Sequence, residues 1–137
     1  MTQKLEQILV DKYPKILKDY NGDPMLTCMA YGIDTGDGWF KLLDELMEKM
    51  QCLCDAWTTA EREVQVVAAQ IKSKYASLRF YVDIHGATDA ESKIIYDLID
   101  AAEQQSLATC EECGACGNVN TKGWHRVLCD THWPKPT

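Results

Sequence analysis

The chain has no apolar run approaching the eighteen or so residues of a membrane span. Its first residues, Met1 to Gln7, lack the basic segment and apolar block of a secretion signal. A soluble protein of the cytoplasm is therefore expected. Positive charge is scarce: 14 Lys and Arg face 21 Asp and Glu, and the net charge of −7 argues against general affinity for nucleic-acid phosphates. Catalytic signatures are missing too. There is no His-Glu-x-x-His, no phosphate loop and no Ser/His/Asp set at a familiar spacing. A zinc deaminase needs a His- or Cys-x-Glu followed by Pro-Cys-x-x-Cys, but Gly86-Ala87 follows His85 and no proline precedes Cys110. The chain does not read as an enzyme.

Cysteine is plentiful, yet seven thiols cannot all pair as disulfides. Cys110-Glu-Glu-Cys113, fifteen residues, then Cys129-Asp-Thr-His132 give the C-x2-C…C-x2-H spacing of a structural zinc site. A two-residue gap lets a tight knuckle aim both ligands at one ion, and the intervening segment is long enough for a hairpin to return the second pair. Three thiolates and one imidazole close the coordination sphere, so the site names zinc as a cofactor without naming a reaction. Cys116 in place of Cys113 is the alternative register. Gly114 and Gly117 are expected to supply left-handed backbone for the knuckle, and residues 118–128 a hairpin turning near Thr121-Lys122-Gly123. His125 falls on that hairpin as a surface residue. With Pro134 and Pro136 after His132, no long helix is expected to follow the last ligand. Cys28, Cys52 and Cys54 read as reduced thiols.

The remainder reads as α+β, a single domain with a core over residues 1–107 and a zinc-binding segment over 108–137. Leu5, Ile8 and Leu9, then Ile16 and Leu17, predict a helix, a break near Pro14 and a second short helix before the Asn21-Gly22-Asp23-Pro24 turn. Residues 25–33 fit either a strand or a loop packed on the core. Asp37 is placed as N-cap of a helix running to Cys54, with Trp39 in the core and Glu45–Lys49 as an outer i,i+4 pair. Val64 to Val66 and Leu78 to Val82 read as strands of a small antiparallel sheet, and the link between them as prolonged strand or helical turn. Thr88-Asp-Ala-Glu91 is a capping box opening a helix to Leu107, its stripe made by Ile94, Ile95, Leu98, Ile99 and Ala102. Seven acids against Lys93 alone give residues 88–112 a charge of −6.

Gly36-Asp37-Gly38-Trp39, the run Gln70-Ile-Lys-Ser-Lys-Tyr-Ala-Ser-Leu-Arg-Phe-Tyr81, Cys110-Glu-Glu-Cys113-Gly114 and Gly123-Trp124 ahead of Cys129 together resemble a family of small, largely uncharacterised zinc-binding proteins of bacteriophages and prophages. Ser73 and Ala76 stand where that family usually carries Glu and Gly. The resemblance implies a phage accessory protein in the host cytoplasm, of the kind that inhibits host defence. Its expected partner is a host protein with a basic surface, such as a nucleic-acid-handling defence complex met in the manner of an anti-CRISPR. Asp97, Asp100 and Glu103, on the middle turns of the acidic helix, are the candidate partner-binding residues. Two other readings stand beside it. One is a nucleic-acid-binding zinc regulator using Lys72, Lys74, Arg79, Lys122 and Arg126 with Tyr81 or Trp124 stacking. The other is a zinc-containing nuclease, for which Asp130 and His125 would have to build a second metal site.

Overall fold

Two eighteen-residue helices, α2 (Phe40–Trp57) and α3 (Asp89–Ser106), form where the apolar stripes lie. The computed structural model describes residues 1–134; the expectation about Pro136 falls outside them. α2 buries Leu42, Leu43, Leu46, Met47, Met50 and Cys54. α3 buries Ile95, Ile99, Ala102 and Ser106, while Ile94, expected in its stripe, is 46% exposed. The capping box at Thr88 forms, with Thr88 Oγ1 accepting from Glu91 N and Glu91 Oε1 accepting from Thr88 N. Asp37 does not cap α2. It opens a single 3-10 turn, Asp37–Trp39, and its carboxylate accepts from Thr2 N instead. Glu45 pairs with Lys41 one turn back, at 3.9 Å.

The sheet is mixed where an antiparallel one was expected. β2 (Gln65–Lys74) and β3 (Ser77–His85) form a long antiparallel hairpin, so the link between the two apolar runs prolongs the strand as far as Lys74 and then turns. β1 (Ile33–Asp34) joins parallel to β2, with Ile33 beside Ile71 and Asp34 beside Lys72. The parallel pairing follows from the crossover, because the chain leaves β1, runs through α2 and returns to the same sheet. Residues 14–21 are turns rather than the expected second helix. Ile16 and Leu17 are buried all the same, and the Ile16 carbonyl accepts from Ala68 N on β2. In the first helix, α1 (Gln3–Lys12), Leu9 is buried but Ile8 is 39% exposed, and Glu6 turns inward. Its carboxylate accepts from Ile33 N at 2.6 Å and from the Tyr20 hydroxyl at 2.7 Å, fastening α1 to β1. Burial and this carboxylate push the Tyr20 phenol up to about 12.

The β2–β3 turn is Tyr75-Ala76, both at positive φ (51° and 71°). This is the backbone of a two-residue hairpin whose twist suits the strands, a shape that glycine and asparagine adopt most readily. Ala76 is fully buried, but Tyr75 is 72% exposed and gains little packing for a conformation costing roughly 1 kcal/mol.

On the free edge of β3, α3 supplies the missing partners. Leu78 N donates to Ser106 Oγ at 2.9 Å and Phe80 N to Glu103 Oε1 at 3.2 Å. Side chains of one helix thus satisfy amides that would otherwise invite another strand. The C-terminal segment adds a two-stranded ribbon, β4 (Asn118–Asn120) and β5 (Arg126–Leu128), as the hairpin expectation required. Among the described residues no helix is long and apolar enough to cross a membrane.

The N-terminus of α3 is fastened by Arg62, whose guanidinium grips both Glu91 oxygens. Arg62 first, then the Thr88 amide, hold the Glu91 carboxyl down at about 2, against 4.5 when free. A carboxylate depressed by folding stabilises the fold above its unfolded value, and that contribution is lost as pH falls through the folded value. Glu91→Gln is therefore expected to flatten the pH dependence of stability between about 4.5 and about 2. Urea denaturation across that window is the check, and a slope equal to wild type would remove the clamp.

Candidate metal centre

α3 ends at Ser106 and a chain of turn hydrogen bonds carries the backbone to Cys110. There the knuckle closes: Gly114 N donates to Cys110 O at 2.8 Å, made possible by a φ of +81° at Gly114. Glu111 N donates to Val127 O at 2.9 Å, which sets the knuckle beside β5 and brings round the second pair, Cys129 and His132.

Cys110, Cys113, Cys129 and His132 converge as the spacing predicted. Their ligand atoms all lie within 4.8 Å of one another. Cys129 Sγ is 3.2 Å from His132 Nδ1, Cys110 Sγ is 3.7 Å from the same nitrogen, and Cys113 Sγ is 3.6 Å from Cys129 Sγ. Such a tetrad of soft donors suggests a metal site. Cys110 and Cys129 are buried while Cys113 and His132 face solvent, so the centre sits at the surface with its inner half against the protein. Electrostatics favour the thiolate at two of the three cysteines, Cys110 and Cys129, while Cys113 is shifted upward. The His132 imidazole beside it brings the Cys129 thiol down to about 6, and Cys129 in turn raises His132. Burial works to raise the Cys110 thiol, but the amides of Cys129, Cys113 and Glu112 outweigh it and the thiol comes down.

Cys116 stays out of the tetrad, exposed on the bridge it makes with Thr109, so the Cys110/Cys113 register holds. His125 also stays out, half-buried near Tyr75 with ring centroids 6.3 Å apart. Gly117 lacks the left-handed backbone expected of it. It is needed for space: a Cβ there would stand 2.9 Å from the Leu128 carbonyl and 3.2 Å from Cys110 N.

Spacing did not reveal what holds the knuckle from outside. The Gly36–Trp39 loop lies flush against it. Gly38 N donates to Glu111 O at 2.8 Å, Gly36 N to Glu111 Oε2 at 3.0 Å, and Trp39 Nε1 to Thr109 O at 2.9 Å. A Cβ on Gly38 would lie 2.1 Å from Cys110 O and 2.6 Å from Gly114 N; one on Gly36 would lie 2.2 Å from Glu111 O. The two glycines exist for this approach of backbone to backbone. A paired glycine ahead of a buried Trp was the only signal in the sequence.

The acidic residues fare unequally. Asp97 and Asp100 are exposed on α3, Asp97 paired with Lys93 at 2.9 Å. Glu103 is half-buried and occupied by Phe80 N. Glu91 is taken by Arg62, Glu111 by Gly36 N, and Glu112 by an ion pair with Arg126. Most of the acidic segment is therefore spent inside the molecule.

No family model, curated protein or solved structure matches the chain. A functional reading must come from the site and surface themselves.

Gly38→Ala tests the clamp directly. Overpacking against three backbone atoms that cannot step aside is expected to cost about 3 kcal/mol or more and to lower metal retention. Thermal unfolding with elemental analysis checks both, and a wild-type melting curve would mean that the loop and the knuckle separate at no cost.

Proposed function

We propose that the tetrad holds one zinc ion with a structural role, and that the protein is a non-enzymatic phage accessory factor that binds and inhibits a host protein. Zinc bonded at about 2.3 Å to sulfur and about 2.0 Å to nitrogen sets tetrahedral ligand atoms about 3.5–3.8 Å apart. The close pairs of the tetrad, at 3.2–3.7 Å, fit that scale. Four protein ligands leave no open position for water or substrate, which favours a structural ion over a hydrolytic one.

The observation that carries the binding role is that α3 is fastened at both ends. Arg62 and the capping box hold its start, and its last turn runs into the clamped knuckle. Its outer face carries Asp97 and Asp100 together with Ile94 and Tyr96, 46% and 49% exposed. A stiff helix offering carboxylates and an aromatic loses little entropy on docking, and it suits a partner with a basic surface, such as a nucleic-acid-handling defence complex. Glu103 contributes by holding the helix to β3, so the contact set centres on Asp97 and Asp100.

The set of cations for a nucleic-acid regulator is divided. Arg126 is ion-paired with Glu112, and Arg79 is half-buried with its Nε enclosed. Lys72, Lys74 and Lys122 remain near exposed aromatics.

Two outcomes are expected. Purified protein should hold one zinc per chain, and Cys129→Ser should lose it; a full equivalent retained by the variant would overturn the ligand assignment. With a partner captured from host lysate, Asp97→Lys with Asp100→Lys should slow association about tenfold at low salt while zinc content is kept. Association kinetics identical to wild type would move the partner surface off α3.

A further inference from the structure

The turn of the β2–β3 hairpin and the loop of the ribbon face each other across an open cleft of about 490 Å³. Lys72, Lys74 and Tyr75 line one side; Gly123, Trp124 and His125 line the other. Its volume lies within the roughly 300–1,000 Å³ typical of ligand sites. Two large aromatic side chains stand exposed there, Trp124 at 78% and Tyr75 at 72%. Neither is accounted for by the core. Tyr75 in addition occupies a left-handed backbone position, so the chain keeps a bulky ring where asparagine or glycine would sit more easily. A locally unfavourable residue that gains little packing points to a use outside the fold.

The charge in the cleft runs against that of the molecule. Lys72 and Lys74 outnumber the one lining acid, Asp34, in a protein of net charge −7, and Lys122 is adjacent to the lining Gly123. Lys74 Nζ lies over the Tyr75 ring, 5.7 Å from its centroid, which puts a cation against one face of that ring and leaves the other for stacking. Ser73 also lines the cleft, its hydroxyl enclosed and without a hydrogen-bond partner among the described residues. Flat rings beside cations recognise a flat, polyanionic ligand.

We infer that this cleft binds a single-stranded nucleic-acid segment, with bases stacking on Trp124 and Tyr75 and phosphates meeting Lys72 and Lys74. Base stacking on aromatic side chains is open to every sequence, whereas a duplex hides its base faces and offers mainly charge, which the rest of this acidic molecule repels. An acidic peptide would satisfy the lysines and leave both rings unexplained. The site lies apart from the α3 face and stands or falls independently of the host-protein reading.

The test uses zinc-loaded protein and the fluorescence anisotropy of a labelled oligothymidine of about twelve nucleotides, within the span of known single-strand sites. Binding is expected at low salt, falling with a log–log slope of about −1.4 for two neutralised phosphates. Trp124→Ala should weaken it about tenfold. Lys72→Gln with Lys74→Gln should remove most of the salt slope, and Tyr75→Asn should weaken binding while the protein stays folded. The variants should keep their zinc and their circular dichroism, and the Asp97/Asp100 variant should bind the strand as wild type does. The inference is overturned by no binding at low salt, by equal affinity for duplex, or by a Trp124→Ala variant that binds normally. It is overturned equally if polyglutamate competes as well as the oligonucleotide, or if a mononucleotide binds with the affinity of the strand, which would assign the cleft to a free nucleotide.

Discussion

The approach of the Gly36–Trp39 loop to the Cys110–Gly114 knuckle is the contact on which the rest of the arrangement depends. Three hydrogen bonds and two glycines without room for a Cβ join a loop near the start of α2 to a loop just after α3. The ribbon has little core of its own, only Cys110, Leu128 and Cys129. It therefore needs both the tetrad within and the clamp without. Trp39 belongs to both parts, since its ring is fully buried in the main core while its Nε1 donates into the knuckle. Were zinc held by the tetrad, as proposed, its loss, worth about 10 kcal/mol in small zinc modules, would be felt in the main core through this one side chain.

Charge counted along a chain is a poor guide to charge displayed on a surface, and α3 shows the reason. The segment from Thr88 to Glu112 carries −6, yet Glu91, Glu103, Glu111 and Glu112 each serve a structural partner: a guanidinium, a strand amide, a loop amide and an arginine of the ribbon. On the middle turns of α3 what reaches solvent is a pair, Asp97 and Asp100, beside Tyr96, with Asp89 exposed at the helix start. A competitor surface built on two carboxylates and a ring relies on rigidity more than on total charge, and rigidity is what the internally used acids supply.

What could be read from the sequence was local. The stripes of α2 and α3, the capping box at Thr88 and the ligand spacing are patterns within a few residues of one another, governed by helical period and chain reach. What escaped was set at a distance. β1 lies parallel to β2 because of a crossover through α2, which no period of two residues can signal. Ile16 and Leu17 are apolar at helical spacing but are buried as turns, the Ile16 carbonyl serving β2 instead of a helix. Glu6 is acidic and still turns inward, since Ile33 N and Tyr20 need an acceptor. Asp37 looked like a cap and became a partner for Thr2 N. In the last three cases long-range hydrogen bonds outweighed a local pattern.

The cleft shows how these levels combine. One wall is the tip of a hairpin whose strands pair over their whole length and whose inner face belongs to the main core. The other wall is the loop of the ribbon, positioned by the knuckle and so by the metal ligands. The two walls are built from separate parts of the chain with different sources of stability, and the clamp, together with the Tyr75–His125 ring contact at 6.3 Å, sets their spacing. A metal-free molecule could thus retain α3's first turns, held by Arg62, while the distance from Tyr75 to Trp124 was no longer set. Structural zinc in such a fold would govern binding without touching a ligand, by deciding whether two exposed rings stand at a separation that a strand can bridge.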